Sequence, residues 1–399
     1  MPSQLPLVDA HEKEHTYCTF CPKLCRHACP VATVEGRETT TPWAKMAALH
    51  HVANGNLPHT DEVAATWWAC TGCMRCKTFC DHDNEVAVAL GAGRAEALSR
   101  GTAPRAAREL RETHRGRVAR ASAAAAAIFG DSAESSSKAT STIAYAPGCT
   151  ACVTAPEEAR AGLLAVEGLT KKSAAVLGGR CCGLPLLDAG DPDGFLRAAR
   201  AFIDDAGGAR RVVFLDPGCL HALRVLAPAL DPTFPSFRGE SRRDSRGDAP
   251  ELLHLSELAA ENLDSLSVVA VTAGSVRYHD PCRLGRGLGV YDAPREVLTR
   301  VLGRRPEELH QTREHAECSG AGGQLPRTSP ESAQAIAKER HADNELAGGG
   351  AIVSPCPASR RAFEKAGTRA LSFATLLAAS AGPVDEPPAA SPDDEKLPP

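Results

Sequence analysis

Cys18-Thr-Phe-Cys21-Pro-Lys-Leu-Cys25-Arg-His-Ala-Cys29-Pro30, answered by Cys70-Thr-Gly-Cys73-Met-Arg-Cys76-Lys-Thr-Phe-Cys80, decides how the rest of the chain reads. The second run is C-x2-C-x2-C-x3-C, a spacing that holds a 4Fe–4S cluster. The first is looser by one residue, C-x2-C-x3-C-x3-C, and closes on Pro30. A cubane cluster needs four thiolates converging on four corners, and close spacing lets consecutive sulfurs wrap one face. Zinc is the competing reading, with two C-x2-C knuckles sharing four sulfurs around one ion. Each run here already has four cysteines, and the second packs its four into one short loop, which favours iron–sulfur. A disulfide framework is weaker still. Met1–His15 is polar and reads without an apolar signal segment. Sixteen cysteines without an export signal point to metal or redox chemistry in a reducing compartment, here the cytoplasm.

In two-cluster ferredoxins the fourth cysteine of each run crosses to the other cluster. By that analogy Cys18, Cys21, Cys25 and Cys80 are expected on one 4Fe–4S cluster, and Cys70, Cys73, Cys76 and Cys29 on a second. Trp43, Trp67, Trp68, Phe20 and Phe79 lie in the same region. They are read as cluster shielding or simply as the core of a small domain.

The chain has 399 residues, enough for two or three domains. No apolar run is long enough to span a bilayer, so any membrane association is expected to be peripheral, through a partner. A formal net charge of −4 argues against nonspecific nucleic-acid binding. Arg94, Arg100, Arg105, Arg108, Arg111, Arg115, Arg117 and Arg120 form one basic stretch, read as a solvated helix face or a docking face for an acidic partner.

Residues 1–120 are expected to form a helical two-cluster domain, with Glu85–Arg120 interrupted near Gly91-Ala92-Gly93 and at Pro104. Residues 121–142, rich in Ala and Ser, read as a linker. The pattern then changes to strands that each run into a cysteine: Thr142–Ala146 into Cys149, Ala174–Leu177 into Cys181-Cys182-Gly183, and Arg211–Leu215 into Cys219. Alternating strands and helices imply parallel α/β packing, with sites at the strands' carboxyl ends. After a polar loop, 231–250, the pattern returns over 251–381. Val276–His279 runs into Cys282, Glu317-Cys318-Ser319-Gly320 replaces the C-C-G loop, and Ala351–Ser354 runs into Cys356. Residues 382–399 read as a disordered tail. Cys149, Cys181 and Cys219 map onto Cys282, Cys318 and Cys356, and Tyr145 onto Tyr278, which makes this an internal duplication.

These motifs together resemble the iron–sulfur oxidoreductases in which two C-C-G domains follow a two-cluster ferredoxin domain. That group includes heterodisulfide reductase catalytic subunits, the anaerobic glycerol-3-phosphate dehydrogenase C subunit and the glycolate oxidase iron–sulfur subunit. The resemblance implies an α-helical ferredoxin-like domain followed by two repeated α/β CCG domains. It also implies, for a full CCG domain, five sulfurs from a cysteine, a C-C-G pair and a C-x2-C; heterodisulfide reductases mount noncubane clusters there and split a disulfide. This sequence departs from that set. Ala222 and Ser359 fall where C-x2-C partners would, and Ser319 replaces the second cysteine of a pair. The first copy offers Cys149, Cys181, Cys182 and Cys219, with Cys152 as a candidate fifth, and could hold a third iron–sulfur cluster. The second offers only Cys282, Cys318 and Cys356 and is expected to be partly degenerate. Gly285–Gly289 reads as a backbone turn rather than a phosphate loop, and His50, His51, His59 and His82 as solvated or hydrogen-bonded, with ligating or tuning a cluster as the alternative for one of them.

The expected function is an electron-transfer subunit of an oxidoreductase, relaying electrons between a flavoprotein dehydrogenase or similar redox subunit and an acceptor. Nothing in the chain reads as a flavin or nicotinamide site. The alternatives are a disulfide or thiol reductase acting at Cys181 and Cys182, and a cluster-bearing redox sensor.

Overall fold

The computed structural model describes residues 3–130, 141–235, 237, 249–272 and 274–382. The first part is helical, and proline and threonine set where its helices begin. Thr41 caps helix Pro42–Ala53, its hydroxyl accepting from the Ala44 amide at 3.2 Å, and Pro42 occupies the first turn, where no amide partner is needed. Pro30 takes the same first-turn place in helix Pro30–Glu35, there without a side-chain cap from Cys29. Met46, Leu49, Val52, Trp67, Trp68 and Leu90 form the core under helix Pro42–Ala53, whereas Val31 and Ala32 of helix Pro30–Glu35 join a separate cluster with Cys318, Leu325 and Ile336. Trp67 and Trp68 are completely buried, whereas Phe20 is 77% exposed, so Phe20 does not shield the cysteines beside it.

Two four-stranded parallel sheets follow, of identical topology. In the first, β1 (Ile143–Ala146), β2 (Ala175–Val176), β3 (Arg211–Phe214) and β4 (Glu251–His254) lie in the order β2-β1-β3-β4. In the second, β5 (Val276–Tyr278), β6 (Glu307–Glu308), β7 (Ala351–Ser354) and β8 (Ala370–Ser372) repeat it as β6-β5-β7-β8. The central strands are buried along nearly their whole length, as expected where helices cover both faces of a parallel sheet.

Three expectations are corrected here. Helix Arg105–Phe129 runs unbroken through 121–129, which reads as linker from composition. Its alanines are good helix formers, and Ala121 and Ala125 bury themselves four residues apart against the first repeat. Helix Val86–Ser99 passes through Gly91-Ala92-Gly93 without a break. A side chain at Gly93 would lie 2.7 Å from Leu49 and 3.2 Å from Trp67, so this glycine makes room for the tryptophan rather than ending the helix. Residues 251–254, expected to open the second repeat, pair with β3 and complete the first sheet, with Arg211 bridging to Glu251 at 2.6 Å. Positions 131–140 of the expected linker, most of the polar loop (236 and 238–248) and the tail 383–399 lie outside the described residues.

The two repeats exchange helices. Helix Leu255–Glu261, which follows the first sheet, packs on helix Asp292–Leu302 of the second repeat. Helix Phe373–Ala381, which follows the second sheet, packs on helix Pro156–Thr170 of the first. Tyr145, Val213, Leu253, Tyr278, Val353 and Phe373 consequently belong to one apolar core.

Candidate cluster sites and a shared cysteine cavity

The eight amino-terminal cysteines gather into two sets. Cys25 has Cys18, Cys80 and Cys21 as its thiol neighbours. Cys76 has Cys73, Cys70 and Cys29 as thiol neighbours, with Cys25 of the first set also in range. Burial pushes the Cys18 thiol up to about 11 and Cys25 up to about 12. Metal binding to such thiols would release their protons, which is how metal binding couples to protonation. Asn84 donates to the Cys18 sulfur at 3.3 Å, and the Gly72 amide to Cys70 at 3.4 Å.

The fit of the second set to a cluster is tested by Lys45. Its side chain is essentially inaccessible, and its ammonium reaches the Cys29 sulfur at 3.6 Å and the Ala69 carbonyl at 2.5 Å. Burial works against its charge, but the thiolates of Cys29, Cys70 and Cys76 more than offset this and raise its pKa. A buried cation facing sulfurs and a carbonyl fits an anionic thiolate cluster. Among the described residues, no three His, Cys, Asp or Glu side chains close to the spacing of a single metal ion.

The repeat cysteines sit where strands hand over to helices. Cys149 opens helix Cys149–Thr154, Cys219 lies in helix Pro217–His221, and Cys356 precedes helix Pro357–Lys365. The glycine of the C-C-G loop has the same task in both copies. Gly183 and Gly320 have φ +82° and +80°, and a β-carbon would meet backbone oxygens of Phe195 at 2.7 Å and Ala333 at 2.5 Å. Their amides donate to the sulfurs of Cys181 and Cys318 at 3.4 and 3.3 Å.

In the first copy four thiols form a chain. Cys149 is hydrogen-bonded to Cys181, Cys181 to Cys182, and the Cys182 and Cys219 sulfurs are 3.3 Å apart. Cys152 is not among the cavity-lining residues; it is buried and hydrogen-bonded to the Gly179 backbone. In the second copy the two serines that replace cysteines bond to each other, Ser319 Oγ to Ser359 Oγ at 2.9 Å, both buried. Cys318 instead pairs with Cys282 and with Cys73 of the amino-terminal domain, and also donates to Thr71 at 3.4 Å. The second repeat thus lies directly against the Cys70–Cys76 loop. Arg286 fastens this junction by donating to the Cys73 carbonyl at 2.7 Å, and Arg75 pairs with Glu317 at 3.3 Å. Arg286 lies in the short helix Gly285–Leu288, where a backbone turn was expected.

Both copies open onto one cavity of about 450 Å³, lined by Cys149, Cys181, Cys182, Cys219, Cys282, Cys318 and Cys356. The sequence places these residues at strand ends but does not bring the two sets together. It also misses His114, whose Nε2 is 3.4 Å from the Cys181 sulfur. The available signal is the basic stretch, on which His114 and Arg117 fall three apart and face the cavity together. His50 and His59 are hydrogen-bonded, to His15 and Thr102 respectively, each at 3.0 Å.

Comparison with known proteins agrees with this architecture. Residues 14–84 match a 4Fe-4S dicluster domain, and residues 143–224 and 276–360 each match a cysteine-rich domain. The chain is 31% identical over 189 residues to the D subunit of the dihydromethanophenazine:CoB–CoM heterodisulfide reductase of Methanosarcina mazei, covering 45% of this chain and 43% of that protein. It is 31% identical over 211 residues to a probable membrane-anchored ferredoxin of Chromohalobacter salexigens, covering 51% and 30%. Over 106 residues it is 31% identical to the B subunit of the fumarate reductase (CoM/CoB) of Methanothermobacter marburgensis, covering 27% and 21%. The matched stretches thus span less than half of these relatives' own length. Among the described residues no helix is long and apolar enough to cross a membrane. The chain belongs with the iron–sulfur oxidoreductases in which a 4Fe-4S dicluster domain is followed by two cysteine-rich domains.

Proposed function

We propose that this chain is the electron-transferring iron–sulfur subunit of a cytoplasmic oxidoreductase complex. It would relay electrons between a flavoprotein dehydrogenase, or a similar redox partner, and an acceptor. The observation that carries this reading is the run of sulfurs from the amino-terminal loops to the cavity through the contact between Cys73 and Cys318. Cys18, Cys21, Cys25 and Cys80 would hold one cluster, and Cys29, Cys70, Cys73 and Cys76 a second. Cys149, Cys181, Cys182 and Cys219 would hold a third. Bound clusters supply one-electron carriers. The chain's own residues bury them, donate hydrogen bonds to their sulfurs from Gly72, Gly183 and Asn84, and place a fixed positive charge at Lys45. Such contacts stabilise the more negative, reduced state. The self-paired serines give the second repeat a supporting role, holding Cys318 against the Cys70–Cys76 loop.

The test compares Cys182→Ala with Cys318→Ala in anaerobically purified protein. Cys182→Ala is expected to lose one cluster's iron and its EPR signal on reduction, while the two amino-terminal clusters stay. Cys318→Ala should keep its iron and lose mainly stability or coupling to the partner. Equal iron loss in both variants would mean that the second copy also holds a cluster.

A second reading, thiol or disulfide reduction at Cys181 and Cys182, is favoured by one observation. The His114 ring nitrogen beside Cys181 stands where a leaving thiolate would need a proton. Turnover of a disulfide by the isolated protein, lost in His114→Gln, would select it over the relay.

A further inference from the structure

The cavity carries more positive charge than its sulfurs call for. Arg117, Arg120, Arg283, Arg327, Arg361 and Lys365 line it, against two carboxylates, Asp188 and Asp216. Arg283 reaches Asp188 at 3.7 Å, and Asp216 is engaged in capping its own helix by accepting from the Gly218 amide at 2.7 Å. Among the described residues, Arg117, Arg120 and Arg327 have no salt-bridge partner. They come from separate elements, helix Arg105–Phe129 and helix Leu325–Thr328, yet they converge at the same mouth. Arg327 is exposed at this rim, and partial burial of its guanidinium together with the charges of Arg117 and Arg120 holds it below its ordinary range. Among the described residues, the buried Arg361 Nε, also on the cavity wall, has no hydrogen-bond partner.

A 4Fe–4S cluster on four thiolates carries a net charge of roughly −2. It would neutralise part of this excess and leave the rim arginines unmatched. Guanidinium groups that repel one another across an open mouth are held there at a cost, which a bound anion would remove. Their planar donor forks suit carboxylate and phosphate oxygens. A volume of about 450 Å³ is that of a small-metabolite site.

We infer that the mouth of the cysteine cavity is a binding site for a small oxyanion with two negative charges, a dicarboxylate or a phosphate, held by Arg117 and Arg327 beside Cys149. The site goes beyond the electron-transfer reading, because the arginines that build it lie outside the cysteine sets. It gives Arg117, half-buried at the cavity, a ligand to meet.

The experiment titrates anaerobic, cluster-loaded protein with malonate and, separately, with inorganic phosphate, at constant ionic strength set by chloride. Binding is followed by calorimetry and iron is counted on the same samples. Saturable one-site binding of either probe is expected, and the tighter probe identifies the oxyanion class. Arg117→Gln and Arg327→Gln should each weaken binding about 10- to 100-fold, the range for a charge-assisted hydrogen bond. Arg108→Gln, on the exposed side of the same helix, should leave binding unchanged. Full iron with no saturable binding overturns the inference, as does binding that both cavity variants retain. Binding through these arginines in protein whose first repeat holds no iron would keep the anion site and count against the electron-transfer reading.

Discussion

Lys45 and His254 show how single buried residues are committed to one charge state. Among the described residues the Lys45 ammonium pairs with no carboxylate; it meets the Cys29 sulfur and a carbonyl. Lys45→Met keeps the length and removes the charge. The neighbouring cluster should then be harder to reduce, its midpoint falling by tens of millivolts or more for a unit charge at this range. An EPR-monitored redox titration measures this, and an unchanged midpoint would separate Lys45 from that cluster. His254 is held neutral. Its Nδ1 accepts from the Ser256 amide at 3.1 Å, leaving Nε2–H to donate to the Leu215 carbonyl at 3.2 Å. Burial lowers its pKa from 6.5 to about 4. The folded-state value is depressed, so its contribution is complete above pH 6.5 and is lost as pH falls toward 4. The loss should total about 3 kcal/mol, from roughly 1.4 kcal/mol per pH unit. His254→Asn retains a capping acceptor and should flatten the pH dependence of the denaturation midpoint in that window. The cysteines were legible because their spacing is itself the ligand geometry. Lys45 and His254 were not, because a buried lysine or histidine has no local pattern.

At the scale of elements, the Ser319-Gly320-Ala321-Gly322-Gly323 loop is where the second repeat meets the amino-terminal domain. A β-carbon at Gly322 would come within 2.4 Å of the Thr71 carbonyl, and one at Gly323 within 2.1 Å of the Cys70 carbonyl. Gly323→Ala adds overpacking to a residue with φ +65°. It should destabilise the protein by about 2–4 kcal/mol and leave the Cys70–Cys76 loop open to proteolysis, measurable by denaturation and limited digestion. Wild-type protection in that variant would mean the loops are not in contact. The sequence makes this loop visible as a departure from C-C-G, but not its reason, which lies some 250 residues away in Thr71 and Cys70 (compare Cys318 and Thr71, 247 positions apart). Strands that run into cysteines were readable from their apolar runs and turn residues. β4, β6 and β8 were not: none of them runs into a cysteine, and β6 is Glu307-Glu308, with no apolar residue to mark it. The alanine-rich stretch 121–129 misled for the complementary reason: low complexity describes linkers and good helices alike.

The whole molecule is held together by what its halves share. The duplication was legible in matched cysteines; the exchange of helices was not, since either repeat could have kept its own. With Phe373 and Leu377 in the same apolar core as Val166 and Leu169, neither repeat buries its surface alone. Deleting the chain from Phe373 onward should therefore damage the first repeat as much as the second. Soluble yield should collapse, and the Cys149–Cys219 site should lose its iron although no residue near it has changed. Normal iron content in that truncation would show that the halves fold independently. The exchange also sets a timetable. The helix Pro156–Thr170 leaves the ribosome roughly two hundred residues before Phe373–Ala381, the helix that covers it. At about 5–20 residues per second that face waits some 10–40 seconds in water. Through that interval the newborn chain is a client for chaperones, and iron supplied to the first repeat would be held securely only once the last helix has closed over the first.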